Sequence, residues 1–428
     1  MELHVVIAGA GIAGLAAAVS LRRAGHRVEL YEQSSLNDEI GAAITVPPNA
    51  SRILLSWGVV PEDWAFVRSE GSTINNPFTM ETMFIALGPN TAVEAGGVPM
   101  YLAHRVDLHN CLKWLATRPE GPGLPAQIHR RGRVSAYDPS GPSITLQDGR
   151  TISADVVVGA DGVHSLAAEA VLQRKVAAIA PTTRLIAGWY HTNTIHNFVG
   201  LFSEASAQTG REDWQARVDA EEVITRFKDF HPDIVNIIRK ANDVRRWPLL
   251  YRPPLEKWHR DRLVLVGDAA HPMLPHQGQG GAQSIEDGLA LGIALCGTTS
   301  KDEICERFKI YETIRRNRAS VIQILSNVGM DQAEQLKHEV LPYLAEDKIP
   351  TNLETIRDFN FGHDATEASL EAMHRYQPNF ALPDDFFDRA VIGAPKTEPS
   401  SSDGLKAAPI MSCGVEVHEP GYQTVEIS

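Results

Sequence analysis

Three glycines near the N-terminus, Gly9, Gly11 and Gly14, follow the spacing G-x-G-x-x-G. They come between the apolar run LHVVIA and an alanine-rich stretch, which predicts a strand, a tight turn and a helix. In such a turn the backbone approaches a pyrophosphate, which lies on the free N–H groups at the positive end of the helix dipole. Glu32 stands 18 residues after Gly14, where a carboxylate accepts hydrogen bonds from both ribose hydroxyls. Together these residues predict a site for an adenine dinucleotide.

Two further loops rich in glycine and aspartate follow apolar runs much later in the chain. GADGVHS (159–165) follows VVV, and GDAAHPMLPHQGQGGA (267–282) follows LVLV. A structural turn needs one or two glycines, so the second loop indicates a backbone held against a ligand. A nicotinamide dehydrogenase would complete its site within the next mononucleotide-binding half. The remote loops therefore indicate a long cofactor that is contacted at both ends.

The elements that must position these loops can be read from the apolar periodicity. The pattern predicts strands at Leu3–Ala8 and Arg27–Glu32, a helix at Gly11–Ala24 that Gly25 stops, and a hairpin turned at Asp148-Gly149. A later helix has an apolar face, and Asp302 is its predicted N-cap. The residues of that face are Ile304, Phe308, Tyr311 and Ile314.

The composition is that of an ordinary globular protein, with 428 residues of which 43% are hydrophobic and 22% charged. A net charge of -13 argues against a nucleic-acid partner, whose phosphates would be repelled. The apolar N-terminus has no basic region before it, which predicts neither a signal peptide nor a membrane span. Four cysteines are scattered without a CxxC pair, which indicates a reducing compartment and a cytoplasmic location.

The three motifs, in this order, resemble those of single-component FAD-dependent aromatic monooxygenases of the p-hydroxybenzoate hydroxylase and salicylate hydroxylase type. The similarity runs from residue 2 to about residue 330 and includes YETIRRNRA (311–319). The resemblance implies an α/β fold in which a Rossmann-type FAD-binding domain is interleaved with a β-sheet substrate domain and followed by C-terminal helices. The expected division is 1–175 for the first part of the FAD domain, 176–250 for a shortened substrate sheet, 251–345 for the return to the FAD domain with long helices, 346–396 for a C-terminal helical segment and 397–428 for a disordered tail.

The resemblance also assigns residues to FAD. The aspartate matching Asp268 accepts hydrogen bonds from the ribityl chain, Pro272 lies beside the flavin ring, and the glycine-rich turn leads into a helix that faces the flavin. The GADGVHS loop serves both FAD and NAD(P)H in the family, although Ala168 stands where a basic residue is usual. The full set of implied FAD residues is Gly9, Gly11, Ala13, Gly14, Glu32, Gln33, Ala43, Arg105, Asp161, Asp268, Pro272, Gly280 and Gly281.

Two residues of the shortened region are the candidates for contact with the substrate. Tyr190 ends the predicted strand RLIAGWY and is the candidate substrate-side phenol, with packing in the core as the alternative. Arg184, at the start of the same strand, is the candidate for an active-site arginine that several fungal members carry on a preceding strand. Histidines five residues apart and the absence of HExxH argue against a metal.

The reaction implied by the resemblance begins with hydride transfer from NADPH or NADH to FAD. Oxygen then forms a flavin C4a-hydroperoxide, which hydroxylates an aromatic small molecule or epoxidises a prenylated one, in secondary metabolism or aromatic catabolism. Two alternatives stay open: a flavin-dependent oxidase or halogenase, and a flavin-binding relative with a degenerate substrate domain. The expected partners are an aromatic substrate, O2 and NAD(P)H, without nucleic acid or membrane, and the oligomeric state, a homodimer included, stays open.

Overall fold

The computed structural model describes residues 1–36, 43–176, 183–188, 198–203, 217–241, 244–388 and 423–427. The strands are, in chain order, β1 (His4–Ala8), β2 (Arg27–Glu32), β3 (Ala43–Val46), β4 (Val67–Arg68), β5 (Ser72–Asn75), β6 (Thr82–Leu87), β7 (Tyr101–His104), β8 (Gln127–Arg130), β9 (Val134–Asp138), β10 (Ser143–Leu146), β11 (Thr151–Ser153), β12 (Val156–Gly159), β13 (Thr183–Gly188), β14 (Phe198–Ser203), β15 (Arg245–Pro248), β16 (His259–Arg260), β17 (Leu263–Leu265) and β18 (Gln423–Ile427).

The helices are α1 (Ile12–Arg23), α2 (Pro48–Ser56), α3 (Thr91–Gly96), α4 (Arg105–Thr117), α5 (Leu166–Leu172), α6 (Ala220–Phe227), α7 (Pro232–Arg239), α8 (Gly280–Leu295), α9 (Ile304–Leu325), α10 (Lys337–Val340), α11 (Leu353–Phe361) and α12 (Ala365–Tyr376). Within the described ranges, no helix is both long enough and apolar enough to cross a bilayer.

A six-stranded sheet in the order β16-β17-β12-β1-β2-β8 forms the centre of the molecule. All of its pairings are parallel except that of the edge strand β16 with β17. Two of its inner strands, β12 and β17, are apolar along their whole length, as expected where helices cover both faces of a parallel sheet. The sheet takes strands from residues 4–159 and from residues 259–265, so distant parts of the chain share one core. The predicted α/β fold class is confirmed.

Parallel pairing brings the three glycine-containing loops to one edge of this sheet. Ala8 of β1 is in register with Gly159 of β12, and Gly159 with Leu265 of β17. The loops that begin directly after these positions are therefore neighbours, although the first and the last are more than 250 residues apart in the chain.

A second, four-stranded sheet has the order β15-β13-β14-β18, and its strand β13 covers the first five residues of the predicted strand RLIAGWY. The structure differs from the predicted disordered tail at Gln423–Ile427, which pairs antiparallel with β14. Threonine, valine and isoleucine in this short segment favour the extended conformation, which a prediction from the glycine, serine and proline content of the whole tail misses.

Most local predictions for the central domain are confirmed, and one cap is wrong. The hairpin at Asp148-Gly149 joins β10 to β11, and Gly149 has φ +87°. Ile304, Phe308 and Tyr311 are buried on one face of α9. Asp302, however, does not cap that helix: its own N–H donates to the Ser300 side chain, which caps a short 3-10 turn (Lys301–Glu303) leading into α9.

Candidate active site

The glycines of the first loop divide into two that the fold requires and one that faces open space. Gly9 has φ +105°, and a Cβ there would lie 2.2 Å from the carbonyl oxygen of Ala160. A Cβ on Gly14 would lie 2.0 Å from the carbonyl oxygen of Gly9. A Cβ on Gly11 would meet no atom within 4 Å. Gly9 and Gly14 therefore hold the loop against its neighbours, while Gly11 leaves room for another molecule to approach the backbone.

Helix α1 begins at this open position without a side-chain cap. Its N-cap is Gly11, and its first turn has no acidic residue. The first N–H groups of a helix have no partner within the helix, and together they attract an anion. This helix end has the features that a pyrophosphate site requires.

The Glu32 carboxylate lies beside the same turn, as its spacing predicts. One of its oxygens accepts from the Ala10 N–H at 2.9 Å, and the other accepts from the Ser34 N–H at 2.7 Å. Gln33, the next residue, is exposed. The motif gives no signal for His109 of α4, whose Nε2 donates to the Ala10 carbonyl at 2.7 Å and fastens the turn from the other side.

The Asp161 carboxylate in the second loop is held by three donors of the protein itself. Its carboxylate accepts from the Tyr137 hydroxyl at 2.9 Å, from the Ser165 hydroxyl at 2.5 Å and from the Ala167 N–H at 3.0 Å. These contacts hold the loop and the start of α5 in place. Ala168 is buried in the first turn of α5, where its N–H donates to Ser165, so a basic side chain at this position would have to leave the core.

The third loop presents Asp268 in an unusual position. Its side chain is accessible to solvent, although Gly267 and Ala269 on either side are buried. The protein around it nevertheless raises the pKa of the Asp268 carboxyl by desolvation, an effect that nearby charges, including that of Arg105 at the start of α4, only partly oppose. An accessible carboxylate enclosed by protein walls indicates a cleft, and the Arg105 charge lies near enough to act on Asp268.

Two helices meet at this loop. A Cβ on Gly267 would lie 2.4 Å from the Ala13 Cβ of α1 and 3.0 Å from the Ser284 hydroxyl of α8. Pro272, in the same loop, is buried, and its carbonyl accepts from Gln323 of α9 at 3.1 Å. The N-terminal parts of both helices therefore contact Gly267, the residue directly before Asp268.

Helix α8 also begins without a side-chain cap and without an acidic residue in its first turn, which starts with Gly280 and Gly281. The side chain of its N-cap residue, Gln279, instead contacts Asn49 and Gln283. Strand β3, which contains the exposed Ala43, packs beside this helix end through Ile44. A second set of free N–H groups thus lies close to the first.

Arg252 is a buried contributor that sequence reasoning missed. Its guanidinium donates to the carbonyl oxygens of Asp268, at 2.9 Å, and of Ala269, and it reaches that of Val163 at 3.5 Å. Desolvation lowers its pKa to about 10. The side chain joins the second loop to the third, and no motif in the sequence marks it.

Of the two predicted substrate residues, the structure describes only the backbone of Arg184. Arg184 lies in β13, with its backbone opposite Phe202 of β14 and Pro248 of β15. Its side chain and all of Tyr190 lie outside what the structure describes. Within the described ranges, no group of three or more His, Cys, Asp or Glu residues could hold a metal ion.

The geometry fits a long dinucleotide such as FAD. Two uncapped helix N-termini suit an anionic pyrophosphate and the pyrimidine edge of a reduced flavin, Glu32 suits a ribose, and the space at Gly11 admits a phosphate against the backbone. Asp268 would then face the part of the cofactor between its two ends.

Comparison with known proteins supports the same conclusion. Residues 2–324 match the family model of the FAD binding domain. The chain is 44% identical over 429 residues to FAD-dependent monooxygenase cfoG of Aspergillus candidus, an alignment that covers 90% of this chain and 99% of that protein. It is 31% identical over 379 residues to hispidin-3-hydroxylase of Neonothopanus nambi, covering 75% of this chain and 87% of that protein.

Solved structures agree in fold. CtdE in complex with FAD and a substrate superposes with a TM-score of 0.69 at 21% identity, covering 87% of this chain and 98% of that one. A salicylate hydroxylase substrate complex superposes with a TM-score of 0.66, also at 21% identity, covering 87% of this chain and 98% of the other. The three loops meet at one edge of the sheet, and both the family model and the relatives match most of the chain. This protein therefore belongs to the FAD-dependent monooxygenases.

Proposed function

We propose that this monooxygenase hydroxylates a small aromatic molecule whose ring already carries a hydroxyl or amino group, with NADPH or NADH and O2 as co-substrates. The names of three relatives support this substrate class: hispidin-3-hydroxylase, 6-hydroxynicotinate 3-monooxygenase and 3-amino-4-hydroxybenzoate 2-monooxygenase. Two of these names specify a substrate with a hydroxyl on its ring. Ring hydroxylation is therefore favoured over epoxidation of a prenylated compound.

The observation that carries the proposal is the pair of uncapped helix N-termini on either side of the Gly267–Asp268 turn. When bound, FAD supplies the redox chemistry, in which it accepts a hydride and passes one oxygen atom of O2 to the substrate. The protein chain binds FAD and orients it. The N–H groups after Gly11 hold the pyrophosphate, Glu32 holds the adenosine ribose, and the start of α8 stabilises negative charge on the reduced ring.

Asp268 is proposed to accept hydrogen bonds from the ribityl hydroxyls, and Arg105 to lie along the cofactor and balance the charge of Asp268. Asp161 is proposed to position the second loop, because its carboxylate is already engaged by three donors of the chain. Tyr190 and Arg184 stay proposals for the substrate side. A cytoplasmic location is also proposed, since Cys111, Cys296 and Cys305 are free thiols, as expected in a reducing compartment.

The test is anaerobic reduction of the bound flavin by NADPH and by NADH, followed by absorbance, with and without hydroxylated aromatic acids and phenols. A compound that accelerates reduction at least about tenfold, equivalent to roughly 1.4 kcal/mol in the barrier, and is hydroxylated on admission of O2, would identify the substrate class. The same ring without its hydroxyl is the matched control. A flavin whose reduction and oxygen reaction respond equally to both compounds would contradict the proposal and favour an oxidase.

A further inference from the structure

The Gly267–His271 turn has few side chains that could stabilise it by hydrogen bonds of its own. Its sequence is Gly-Asp-Ala-Ala-His, and its internal bonds run from the N–H groups of Ala270 and His271 to the Gly267 carbonyl, at 2.8 and 2.9 Å. Alanine and glycine contribute no polar side-chain contacts. The place of Asp268 must therefore be fixed by groups outside the turn.

One such group is Asp287, in the third turn of α8. A single oxygen, Oδ2, accepts from the Gly267 N–H at 2.8 Å and from the Nε2 of His271 at 2.5 Å. The two anchored residues flank Asp268 on both sides. The side chains of Asp287 and His271 are both fully buried, so water cannot replace either bond.

Asp287 is itself held from α9. Its other oxygen, Oδ1, accepts from the Arg315 Nε at 2.8 Å, and the same guanidinium donates to the neighbouring Glu286. Arg318 also pairs with Glu286 through two bonds of 2.9 Å. Two carboxylates and two guanidinium groups balance in charge, which allows this ion cluster to remain in the core.

The cluster also keeps Asp287 ionised. Desolvation opposes ionisation, but His271, Arg315 and the Gly267 N–H together hold the pKa of the Asp287 carboxyl below its ordinary value. The carboxylate is therefore an acceptor for all three donors at neutral pH. An uncharged side chain of the same shape could not serve them all.

We propose that Asp287 is a positioning residue for FAD, which fixes the Gly267–His271 turn and thereby the direction of Asp268 toward the cofactor. Asp287 acts through this turn and does not touch the cofactor. The inference rests on the proposed binding of FAD by Asp268. Because Asp287 belongs to α8, the same anchor fixes the turn relative to the N-terminus of that helix.

The chain contains a matched control for this residue. Glu312 of α9 accepts from the His259 Nδ1 at 2.7 Å, from the Trp258 N–H at 3.0 Å and lies 3.3 Å from the Arg316 Nε. It thus has the same three kinds of donor as Asp287: a histidine ring, a backbone N–H and an arginine Nε. Trp258 and His259 lie before and on β16, and Arg316 lies on α9 itself, so the Gly267–His271 turn is not among its partners.

The experiment compares Asp287→Asn with Glu312→Gln in the purified holoenzyme. An amide in place of either carboxylate turns its NH2 group toward at least one donor, so both variants should unfold at a lower temperature. For Asp287→Asn alone, we expect FAD to bind roughly 10- to 100-fold more weakly, measured as recovery of flavin fluorescence on dilution. We also expect the absorption bands of the flavin that remains bound to shift, as a second readout.

Two further variants separate the possible outcomes. Asp268→Ala tests the proposed function itself: full retention of FAD in this variant would refute the contact on which the inference rests. If Asp268→Ala loses FAD while Asp287→Asn and Glu312→Gln retain it equally, the positioning role is wrong and Asp287 only stabilises the fold. If Asp287→Asn does not fold, His271→Leu removes one of the two anchors, since leucine has no donor for Asp287. The same measurements on His259→Leu then serve as its control.

Discussion

At the scale of single residues, the glycines of the first motif serve two purposes: close packing within the protein and access for a ligand. Gly9 and Gly14 are required because a side chain would collide with backbone atoms of the protein, whereas the space at Gly11 is available. A glycine spacing alone does not separate these roles, since all three positions read the same in the sequence. The structure separates them by what each missing Cβ would contact.

This difference predicts that an alanine at Gly14 lowers the stability of the fold, whereas an alanine at Gly11 lowers the affinity for FAD. Gly14→Ala forces α1 away from the Gly9 carbonyl, which lies 2.0 Å from the new Cβ, and should cost about 1–3 kcal/mol of unfolding free energy. Gly11→Ala should leave stability unchanged but lower FAD affinity about tenfold or more, because the methyl group occupies the proposed phosphate position. Denaturant unfolding and flavin titration measure the two quantities. A Gly11→Ala protein with wild-type affinity would remove the pyrophosphate from this turn.

At the scale of elements, the site depends on how closely α8 packs on α1. A Cβ on Gly288 would lie 2.5 Å from the Ala16 carbonyl carbon and 2.6 Å from the Ala17 nitrogen. A Cβ on Gly292 would lie 2.0 Å from the Ser20 hydroxyl. Small residues on both helices thus allow their backbones to approach, and this contact sets the relation between the two N-termini beside Asp268.

Gly288→Ala should therefore separate the helices and lower both stability and FAD affinity, with a loss of roughly 1–3 kcal/mol in unfolding free energy. Gly280→Ala in the same helix is the control for stability, since its Cβ would come no closer than 3.7 Å to the Met273 side chain. Thermal and denaturant unfolding should show a loss for Gly288→Ala and little change for Gly280→Ala. Equal stability of the two variants would show that α8 can shift without cost.

At the scale of the whole molecule, the core should make the fold sensitive to mild acid. His26 joins the N-terminus to the end of α8: its Nδ1 accepts from the Leu3 N–H at 3.3 Å, and its Nε2 donates to the Leu295 carbonyl at 3.1 Å. This arrangement requires the neutral ring. Desolvation accordingly lowers the pKa of His26 from 6.5 to about 4.

Because the unfolded chain takes up this proton near pH 6.5 and the folded chain does so only near pH 4, stability from His26 is present above pH 6.5 and is lost between these values. The loss amounts to about 3 kcal/mol at most. His26→Asn, which keeps one donor and one acceptor, should flatten the fall in unfolding midpoint over this range. His338→Gln, at an exposed position, is the control. An unchanged slope in His26→Asn would assign the acid sensitivity to other groups.

The sequence by itself determined the elements whose signal is local. The first strand, its glycine turn and the helix that follows were predicted because apolar runs, glycine spacing and Glu32 all lie within 32 residues. The later loops could be recognised as ligand-facing from their composition. The fold class and FAD as the cofactor were implied by the resemblance that these motifs carry, and the comparisons confirm both.

The tertiary structure decided what depends on contacts between distant segments. Arg252, His109 and Asp287 contact the loops of the site from elsewhere in the chain, and nothing near them in the sequence indicates those partners. It also shows that the Asp161 carboxylate accepts hydrogen bonds from Tyr137 and Ala167, contacts that the resemblance did not imply. The physical reason is that a glycine turn is encoded by steric limits on neighbouring residues, whereas burial, charge balance and hydrogen-bond partners exist only once the parallel strands bring their ends together.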